Sequence, residues 1–337
     1  MYYRRETLIV KKLENSNILV TGGAGFIGSN LIEFLLDQNN KVICLDNFMT
    51  GKRENLNSFI DNPHFKLLEG DIRNLETCRQ ACDNVDYVLH QAALGSVPRS
   101  IKDPVTTTEV NISGFVNILF AAKEAGVKRF VYAASSSTYG DSKDLPKVEE
   151  KIGKPLSPYA ITKYVNEIYA DNFASIYGME TIGLRYFNVF GKRQDPNGAY
   201  AAVIPKFAKS LIEHESPVIN GDGSYSRDFT YIDNILKANE LAATVSNPKA
   251  INTVYNIACG HRTDLNELFS LLRKFLAQYD PQITETEAVH GEARSGDIPH
   301  SLACIDKARK LLGYEPEFNF EEGLKTAAKW YYDNLKS

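Results

Sequence analysis

The chain has 337 residues, of which 43% are hydrophobic and 24% are charged, and its formal net charge is −4. This is the composition of a globular protein long enough for about two domains. The small acidic excess gives no support to nucleic-acid binding, which requires a basic surface. No apolar run reaches the roughly 18 residues of a transmembrane helix, and the N-terminus lacks the apolar core of a signal peptide, so no membrane partner is expected.

The first half of the chain alternates short β-branched segments with longer amphipathic segments. The predicted strands are 17–21, 41–45, 65–68, 87–90, 129–133 and 181–184. The predicted helices are 26–38, 75–82, 107–125 and 159–177. This alternation predicts an α/β fold, a doubly wound parallel sheet of the Rossmann type with helices on both faces.

The pattern changes after about residue 188, where helical segments alternate with loops rich in Gly, Asp and Pro. The predicted helices of this half are 201–214, 232–245, 264–278 and 320–334. We expect residues 15–188 to form the Rossmann domain and residues 189–337 a smaller α/β lobe that binds substrate, with segments that cross back to the sheet. Residues 1–14 form a polar, basic arm. Ligands of open α/β sheets bind beyond the carboxyl ends of the strands, so the cleft is expected between the two lobes.

A glycine-rich turn follows the first predicted strand. Gly22 permits the tight turn, Gly25 lets the backbone approach a pyrophosphate, and Gly28 lets the next helix pack closely. The helix N-terminus then offers N–H groups and the positive end of its dipole to phosphates. Asp46 ends the second strand, where a carboxylate can bind both ribose hydroxyls and repels a 2′-phosphate. This combination predicts NAD as the cofactor.

Tyr159 and Lys163 lie at positions i and i+4 of a predicted helix and therefore share one helix face. Free tyrosine has a pKa near 10 and is a poor base at neutral pH, but neighbouring positive charge favours the phenolate. Such a phenolate can remove the proton of a sugar hydroxyl. A run of hydroxyl residues beginning at Ser135 follows the strand 129–133 and can hold a substrate oxygen beside this base.

These motifs, with the segments 46–48, 70–72, 90–93 and 185–188, resemble those of extended short-chain dehydrogenase/reductases, and more narrowly the nucleotide-sugar epimerases. The resemblance extends from residue 17 nearly to the C-terminus. Within it, the segments 91–100 and 191–202 are most similar to bacterial UDP-N-acetylglucosamine 4-epimerases.

The resemblance implies a role for each matching residue. The catalytic residues would be Ser135, Tyr159 and Lys163. Besides Tyr159 and Lys163, the cofactor-binding residues would be Gly22, Gly25, Phe26, Ile27, Gly28, Asp46, Asn47, Gly51, Asp71, Ile72, Gln91 and Ala93. The substrate-binding residues would be Gly95, Ser96, Ser136, Ser137, Asn188, Gln194, Ala202, Arg227, Arg294 and Ser301.

Three of the substrate positions indicate which nucleotide sugar is bound. Arg227 and Arg294 would hold the diphosphate, because a guanidinium binds phosphate oxygens in a bidentate manner. Ser301 stands where epimerases limited to non-acetylated sugars carry a bulky tyrosine, so it leaves room for an N-acetyl group. Many relatives have Ala-Asp shortly afterwards, whereas this chain has Ala303 and Cys304, from which only a structural effect is expected.

The resemblance thus implies an enzyme that interconverts UDP-N-acetylglucosamine and UDP-N-acetylgalactosamine through a 4-keto intermediate, with UDP-glucose and UDP-galactose as a second pair to test. It also implies a homodimer. Two alternatives stay open: a UDP-sugar 4,6-dehydratase or decarboxylase on the same fold, and a non-catalytic NAD-binding regulator. The five cysteines and six histidines have the spacing of neither a metal site nor a redox pair, so we expect no bound metal. Cysteines that form no disulfides are typical of cytoplasmic proteins, and we therefore expect a cytoplasmic location.

Overall fold

A computed structural model describes residues 11–197, 201–292 and 298–336. The strands are β1 (Asn17–Thr21), β2 (Lys41–Asp46), β3 (Phe65–Glu69), β4 (Tyr87–His90), β5 (Arg129–Ser135), β6 (Thr181–Tyr186), β7 (Val189–Phe190), β8 (Val218–Asn220), β9 (Ser226–Arg227), β10 (Thr230–Tyr231), β11 (Thr253–Ile257), β12 (Thr263–Asp264) and β13 (Val289–Gly291). The helices are α1 (Phe26–Leu36), α2 (Leu75–Cys82), α3 (Val97–Lys102), α4 (Pro104–Thr108), α5 (Phe115–Glu124), α6 (Pro158–Tyr177), α7 (Val203–Ile212), α8 (Ile232–Thr244), α9 (Leu265–Leu276), α10 (Asp306–Leu312) and α11 (Phe320–Asn334).

One parallel sheet of 7 strands organises the first lobe, in the order β11-β6-β5-β4-β1-β2-β3. The chain leaves the centre of the sheet in both directions, because β1 pairs with both β2 and β4. A crevice opens beyond the carboxyl ends of the strands at such a switch point. The predicted doubly wound Rossmann-type fold is confirmed.

Two apolar layers cover the faces of this sheet. Helices α1 and α8 pack on one face, while α2, α5 and α6 pack on the other. Strands β5 and β6 are buried along their whole length, as expected for strands of a parallel sheet that have helices on both sides. The sheet is therefore a rigid platform for the side chains at its carboxyl edge.

The second half of the chain contributes to both lobes. Helices α7, α9 and α11 pack on one another and form the smaller lobe together with the short pairs β7–β10, β8–β13 and β9–β12. The segment 232–257 instead joins the first lobe, where α8 contacts α1 and β5 and β11 pairs with β6. Among the described residues, no helix is both long and apolar enough to cross a membrane.

Two sequence predictions need correction here. The predicted helix 107–125 is not one regular α-helix, because a π-helical segment at Glu109–Gly114 separates α4 from α5. The predicted arm 1–14 ends too late, since Leu13 is only 2% exposed and its backbone N–H donates to the Glu240 carboxylate. Helices α3 and α10, of 6 and 7 residues, were not predicted because they are too short for a clear apolar period.

Candidate active site

A cleft of about 430 Å³ lies at the carboxyl ends of the central strands. It is lined by the glycine turn, the ends of β2, β4, β5 and β6, and the first turns of α6. The predicted residues that line it are Gly22, Gly25, Phe26, Ile27, Gly28, Asp46, Asn47, Asp71, Ile72, Gln91, Ala93, Gly95, Ser135, Tyr159, Lys163 and Asn188. Residues from distant parts of the chain thus share one elongated cavity.

The glycine turn forms a cradle that side chains would fill. Gly22 has a φ of +68°, and a Cβ there would lie 2.7 Å from the Ala92 nitrogen. A Cβ at Gly28 would lie 2.2 Å from the Gly22 carbonyl oxygen. The backbone of α1 therefore starts directly against the turn, so its first N–H groups face the cleft where a pyrophosphate fits. This geometry suits a dinucleotide.

Acidic side chains mark one end of the cleft. Asp46 accepts hydrogen bonds from the backbone N–H groups of Ala24, at 2.9 Å, and Phe48, at 2.8 Å. Burial raises the pKa of the Asp46 carboxyl, and those N–H groups oppose the shift. Asp71 accepts from the Asn47 amide at 2.8 Å, and its ion pair with Arg73 lowers its pKa to about 2. These carboxylates can accept from ribose and adenine donors.

Buried polar contacts hold the two sides of the cleft together. The Ala92 N–H donates to the Thr21 hydroxyl at 3.2 Å, and the same hydroxyl oxygen lies 2.7 Å from His90 Nδ1. Burial, aided by the charge of Lys163, lowers the pKa of His90 to about 3, so the ring is neutral and forms this hydrogen bond without a charge. The glycine turn is thereby fixed to the strand end beside it.

The π-helical segment supports the cleft wall in a similar way. It presents Asn111, whose amide accepts from the Leu94 N–H at 2.8 Å and donates to the Thr162 hydroxyl at 3.1 Å. Leu94 lies between Ala93 and Gly95, both of which line the cleft. The departure from regular helix therefore places a side chain that holds this segment against α6.

The predicted catalytic residues meet at the other end of the cleft. Ser135 ends β5, and its Oγ lies 2.8 Å from Ser137 Oγ and accepts from the Ser137 N–H at 3.2 Å. Helix α6 begins at Pro158 after the Ser157 side chain caps the Ala160 N–H, which places Tyr159 and Lys163 on consecutive turns.

The electrostatics at this end favour a protonated lysine one helical turn from a half-buried phenol. Lys163 is buried and its Nζ donates to the Ala133 carbonyl at 2.8 Å. Burial lowers the pKa of Lys163 to about 8, so the ammonium form still predominates at neutral pH. Burial raises the pKa of Tyr159, and the Ser135 side chain opposes that shift. Additional positive charge in the cleft would favour the Tyr159 phenolate further.

A second cavity of about 280 Å³ adjoins the cleft. Asn188 and Val189 line both cavities, while Ala202 and Arg227 line the second. Asn188 has a φ of +37° and its side-chain amide donates to the Asp228 carbonyl at 3.0 Å, which fixes the point where the cavities meet. The two cavities therefore adjoin at Asn188 and Val189, with the reacting groups in the first cavity and a guanidinium in the second.

Several predicted residues lie outside the two linings. They are Gly51, Ser96, Ser136, Ser137, Gln194 and Ser301. Ser96 caps α3, and Gln194 donates from its side chain to the Val189 carbonyl at 3.0 Å. Ser301 is half-buried and its N–H donates to the Ser226 carbonyl, next to Arg227. Arg294 lies outside the described residues, and a sugar contact for any of these substrate positions stays a prediction.

Three structural contributors were not predicted from the sequence. Tyr186 lines the cleft beside the catalytic residues, at the end of β6. Lys52 and Asp195 form an ion pair of 3.2 Å between two loops that line the cleft. This ion pair has no local signal in the sequence, since its two residues are distant from each other along the chain. The tyrosine was detectable in principle, because it follows the predicted strand 181–184 by two residues, just as Ser135 follows the predicted strand 129–133.

Asp228 is a further buried group without a predicted role. Its carboxylate accepts from the backbone N–H groups of Cys259, Gly260 and Ala303 at 3.0, 3.1 and 3.2 Å. Burial raises the pKa of Asp228 to about 7, against the effect of these donors. The side chain therefore ties together three loops behind Arg227 and supports the wall of the second cavity.

Comparison with known proteins agrees with this geometry. The model of the "NAD dependent epimerase/dehydratase family" matches residues 18–258. A UDP-N-acetylglucosamine 4-epimerase from Methanobrevibacter ruminantium, solved with UDP-N-acetylmuramic acid, is 39% identical with a TM-score of 0.88, covering 95% of this chain and 99% of that one. A UDP-glucose 4-epimerase from Thermotoga maritima is 38% identical with a TM-score of 0.86, covering 95% and 100%. A UDP-glucuronic acid 4-epimerase from Bacillus cereus, solved with UDP-glucuronic acid and NAD, is 30% identical with a TM-score of 0.84, covering 94% and 99%.

The close approach at Gly28 yields a direct test of the cradle. Gly28→Ala should lower dinucleotide affinity at least about tenfold and destabilise the fold by about 1–3 kcal/mol, because the new Cβ meets a backbone oxygen that cannot move independently. Gly95→Ala is the control, since a Cβ there meets nothing within 4 Å. Nucleotide content of the purified variants and urea unfolding provide the measurements. Equal nucleotide content in the two variants would contradict the cradle.

Proposed function

The chain belongs to the NAD dependent epimerase/dehydratase family, and from this we propose that it interconverts UDP-N-acetylglucosamine and UDP-N-acetylgalactosamine by epimerisation at carbon 4. The observation that carries the proposal is that the two cavities adjoin each other at Asn188 and Val189. Ser135 and Tyr159 line the first, Arg227 lines the second, and Asn188 belongs to both. A sugar bound in the first cavity would have its diphosphate in the second cavity, beside the Arg227 guanidinium.

NAD is the cofactor, and the glycine cradle with Asp46 directly beside it fits its pyrophosphate and ribose. When bound, it supplies the acceptor for hydride from a sugar carbon and the donor that returns it. The ion pair between Lys52 and Asp195 joins the two loops at the cleft and supports retention of the cofactor. Retention matters for this reaction, because an epimerisation has no net redox change and the cofactor need not exchange.

Tyr159 is the proposed base. Its Oη takes the proton from the sugar 4-hydroxyl and returns a proton to the same oxygen on the opposite face of the ring, so no proton is consumed overall. Ser135 Oγ, at the end of β5, would orient the sugar hydroxyl toward Tyr159. Lys163 is buried and mostly protonated at neutral pH, so its charge favours the phenolate form of the base.

The choice of an acetylated sugar rests on small side chains. Gly95 lines the cleft and has open space beside it, while Ala202 lines the adjoining cavity. Ser301 lies next to the Arg227 strand through its hydrogen bond to Ser226. Small residues at these positions leave volume for an N-acetyl group at carbon 2 of the sugar.

The two alternatives are less well supported. A dehydratase needs an acid and a base that eliminate water, whereas the residues after Ser135 are Ser136 and Ser137, and the Ser137 hydroxyl contacts Ser135. A regulator without catalysis has no need for a buried Lys163 one turn from Tyr159, both lining the cleft. Proton transfer between a hydroxyl and a base is the chemistry that these groups favour.

A homodimer is part of the proposal. Helices α3, α4 and α6 are neighbours and expose apolar side chains, of which Ile101 is 64% exposed and Val105 67%. On α6, Ile161, Ile168 and Ile176 are also exposed and follow one helix face. Exposed apolar side chains grouped on neighbouring helices are typical of an interface, and a second copy of the same helices would cover them symmetrically.

Removal of one hydroxyl tests the base. Tyr159→Phe should reduce turnover by about a hundred- to ten-thousand-fold, the usual contribution of a general base, and should leave NAD content unchanged. Ser135→Ala should cost less, because that serine only orients the substrate. Product formation from UDP-N-acetylglucosamine and nucleotide content are measured on both variants. A near-normal rate in Tyr159→Phe would remove this residue from the mechanism.

The cofactor should be present in the protein as purified. Denaturation is expected to release NAD rather than NADP, because Asp46 would repel a 2′-phosphate. Turnover should require no added oxidant or reductant. Chromatography of the released nucleotide identifies it, and a predominance of NADP would contradict the role of Asp46.

Ser301→Tyr tests the sugar preference. A tyrosine ring would fill the space beside carbon 2, so turnover of the acetylated pair should fall roughly a hundredfold more than turnover of UDP-glucose and UDP-galactose. The measurement is kcat/KM for both substrate pairs in both proteins. Equal losses on the two pairs would show that Ser301 does not select the substituent at carbon 2.

A charge in the exposed apolar face tests the dimer. Ile168→Glu should weaken self-association by about 2 kcal/mol, the cost of disrupting a central apolar contact. Ile60→Glu is the control, since Ile60 is also exposed but lies outside α3, α4 and α6. Sedimentation velocity over a concentration series measures the oligomer. A wild-type monomer at all concentrations would refute this part of the proposal.

A further inference from the structure

Three side chains from separate elements form a closed ring of hydrogen bonds below the cleft. The Tyr186 hydroxyl lies 3.3 Å from Gln91 Oε1, and Gln91 Nε2 lies 3.4 Å from Asn239 Oδ1. Asn239 Nδ2 completes the ring at 2.9 Å from the Tyr186 hydroxyl. Tyr186 ends β6, Gln91 follows β4, and Asn239 belongs to α8, so the ring connects two strands with the helix that crosses back.

A backbone carbonyl sets the direction of every bond in this ring. Asn239 Nδ2 also donates to the Ile235 carbonyl at 2.8 Å, which can only accept, so this atom is the amide nitrogen. The Tyr186 oxygen must then accept from Asn239, and its own proton is left for Gln91 Oε1. The remaining side-chain oxygen of Asn239 accepts from Gln91 Nε2, which closes the ring without a conflict.

The position of the ring gives it a role in the reaction. Tyr186 and Gln91 line the cleft, and Tyr186 stands opposite Ser135 in the register of β6 and β5. Asn239 is fully buried and reaches neither the cleft nor any substrate path. Burial raises the pKa of Tyr186 to about 12, against the hydrogen bonds from Asn239 and Gln91. A second phenol therefore borders the reacting groups, and its proton is already donated to Gln91 Oε1.

We propose that Asn239 is a positioning residue that holds the Tyr186 hydroxyl and the Gln91 side chain as one fixed wall beside the reacting groups. Its amide donor keeps the Tyr186 proton directed at Gln91 and away from the cleft. Tyr159 then remains the single phenol that exchanges a proton with the substrate. The same wall fixes how deeply the reactive end of the dinucleotide sits. This inference rests on the proposed function for the sugar but not for the dinucleotide.

Asn239→Asp is the most informative substitution, because it keeps size and acceptor but removes the donor. The Tyr186 hydroxyl would then donate to the new carboxylate, and Gln91 Oε1 would lose its donor. Turnover should fall about tenfold to a hundredfold, the cost of misplacing a reacting group by about an ångström, while KM for the UDP-sugar changes little. The bound dinucleotide should dissociate at least about tenfold faster, equivalent to one lost hydrogen-bond contribution.

Asn234 provides a matched control on the same helix. It is equally buried, and it donates to the Phe318 carbonyl at 2.8 Å while accepting from the Glu317 N–H at 2.9 Å, on a different face of α8. Asn234→Asp should lower thermal stability without changing kcat or dinucleotide dissociation. Tyr186→Phe opens the ring from its other end and should reproduce the effect of Asn239→Asp, and the two changes combined should cost little more than either alone.

The measurements are kcat and KM for the UDP-sugar, the dissociation rate of the dinucleotide, and the melting temperature of each variant. Equal effects of Asn239→Asp and Asn234→Asp on kcat and dissociation would reduce the ring to a structural contact and overturn the proposal. Additive effects of Asn239→Asp and Tyr186→Phe would also overturn it. If the wild-type protein epimerised no UDP-sugar, the proposed function would fail, whereas the comparison of dissociation rates would still decide the role of Asn239.

Discussion

The close approach of the glycine turn to the neighbouring strand end is the constraint on which the site depends. At Gly22 the backbone passes so near Ala92 that no Cβ fits, and at Gly28 helix α1 starts against the same turn. The Thr21 hydroxyl bridges this contact to His90 in the next strand. If the glycine turn moved away from the strand end by the width of one side chain, the cleft would lose its phosphate cradle. The two ends of the cleft would also lose their alignment.

The opposite end of the cleft depends on the rigidity of the sheet. Ser135 and Tyr186 end adjacent strands that are buried along their length, and α6 carries Tyr159 and Lys163 against them. A base in this position is useful only if its neighbours do not compete for the same proton. The hydrogen-bond ring below Tyr186 provides that separation, and its donor comes from a helix of the second half of the chain.

Much of this arrangement could be predicted from the sequence because local signals and topology suffice. The strand–helix alternation and the turn at Gly22 determine the sheet, and the ends of parallel strands bring Asp46, Ser135 and their neighbours to one edge. Helical spacing predicts that Tyr159 and Lys163 share one helix face, and the hydroxyl run at Ser135 together with the resemblance indicates their place in the site. The crossing of α8 and β11 back to the sheet was expected only in general terms, since no residue pattern specified which segments return.

What could not be predicted depends on contacts between distant residues. Asn239 is 148 positions from its partner Gln91, and Lys52 pairs with Asp195 across two loops. Neither the hydrogen bond of the Asn239 amide nor the ion pair of Lys52 with Asp195 corresponds to a motif in the local sequence. The π-helical segment was missed for the same reason, because its benefit is the bond from Asn111 to the backbone of Leu94 rather than any propensity within the helix.

The central claim is that the sugar is oxidised and reduced at the same carbon within one site, by a hydride that never exchanges with the medium. The most direct measurement uses UDP-N-acetylglucosamine carrying deuterium at carbon 4, incubated with the purified protein and no added dinucleotide. The account predicts an isomer of unchanged mass in which the deuterium is still on carbon 4. Loss of the deuterium to solvent, or a product lighter by one water, would contradict it.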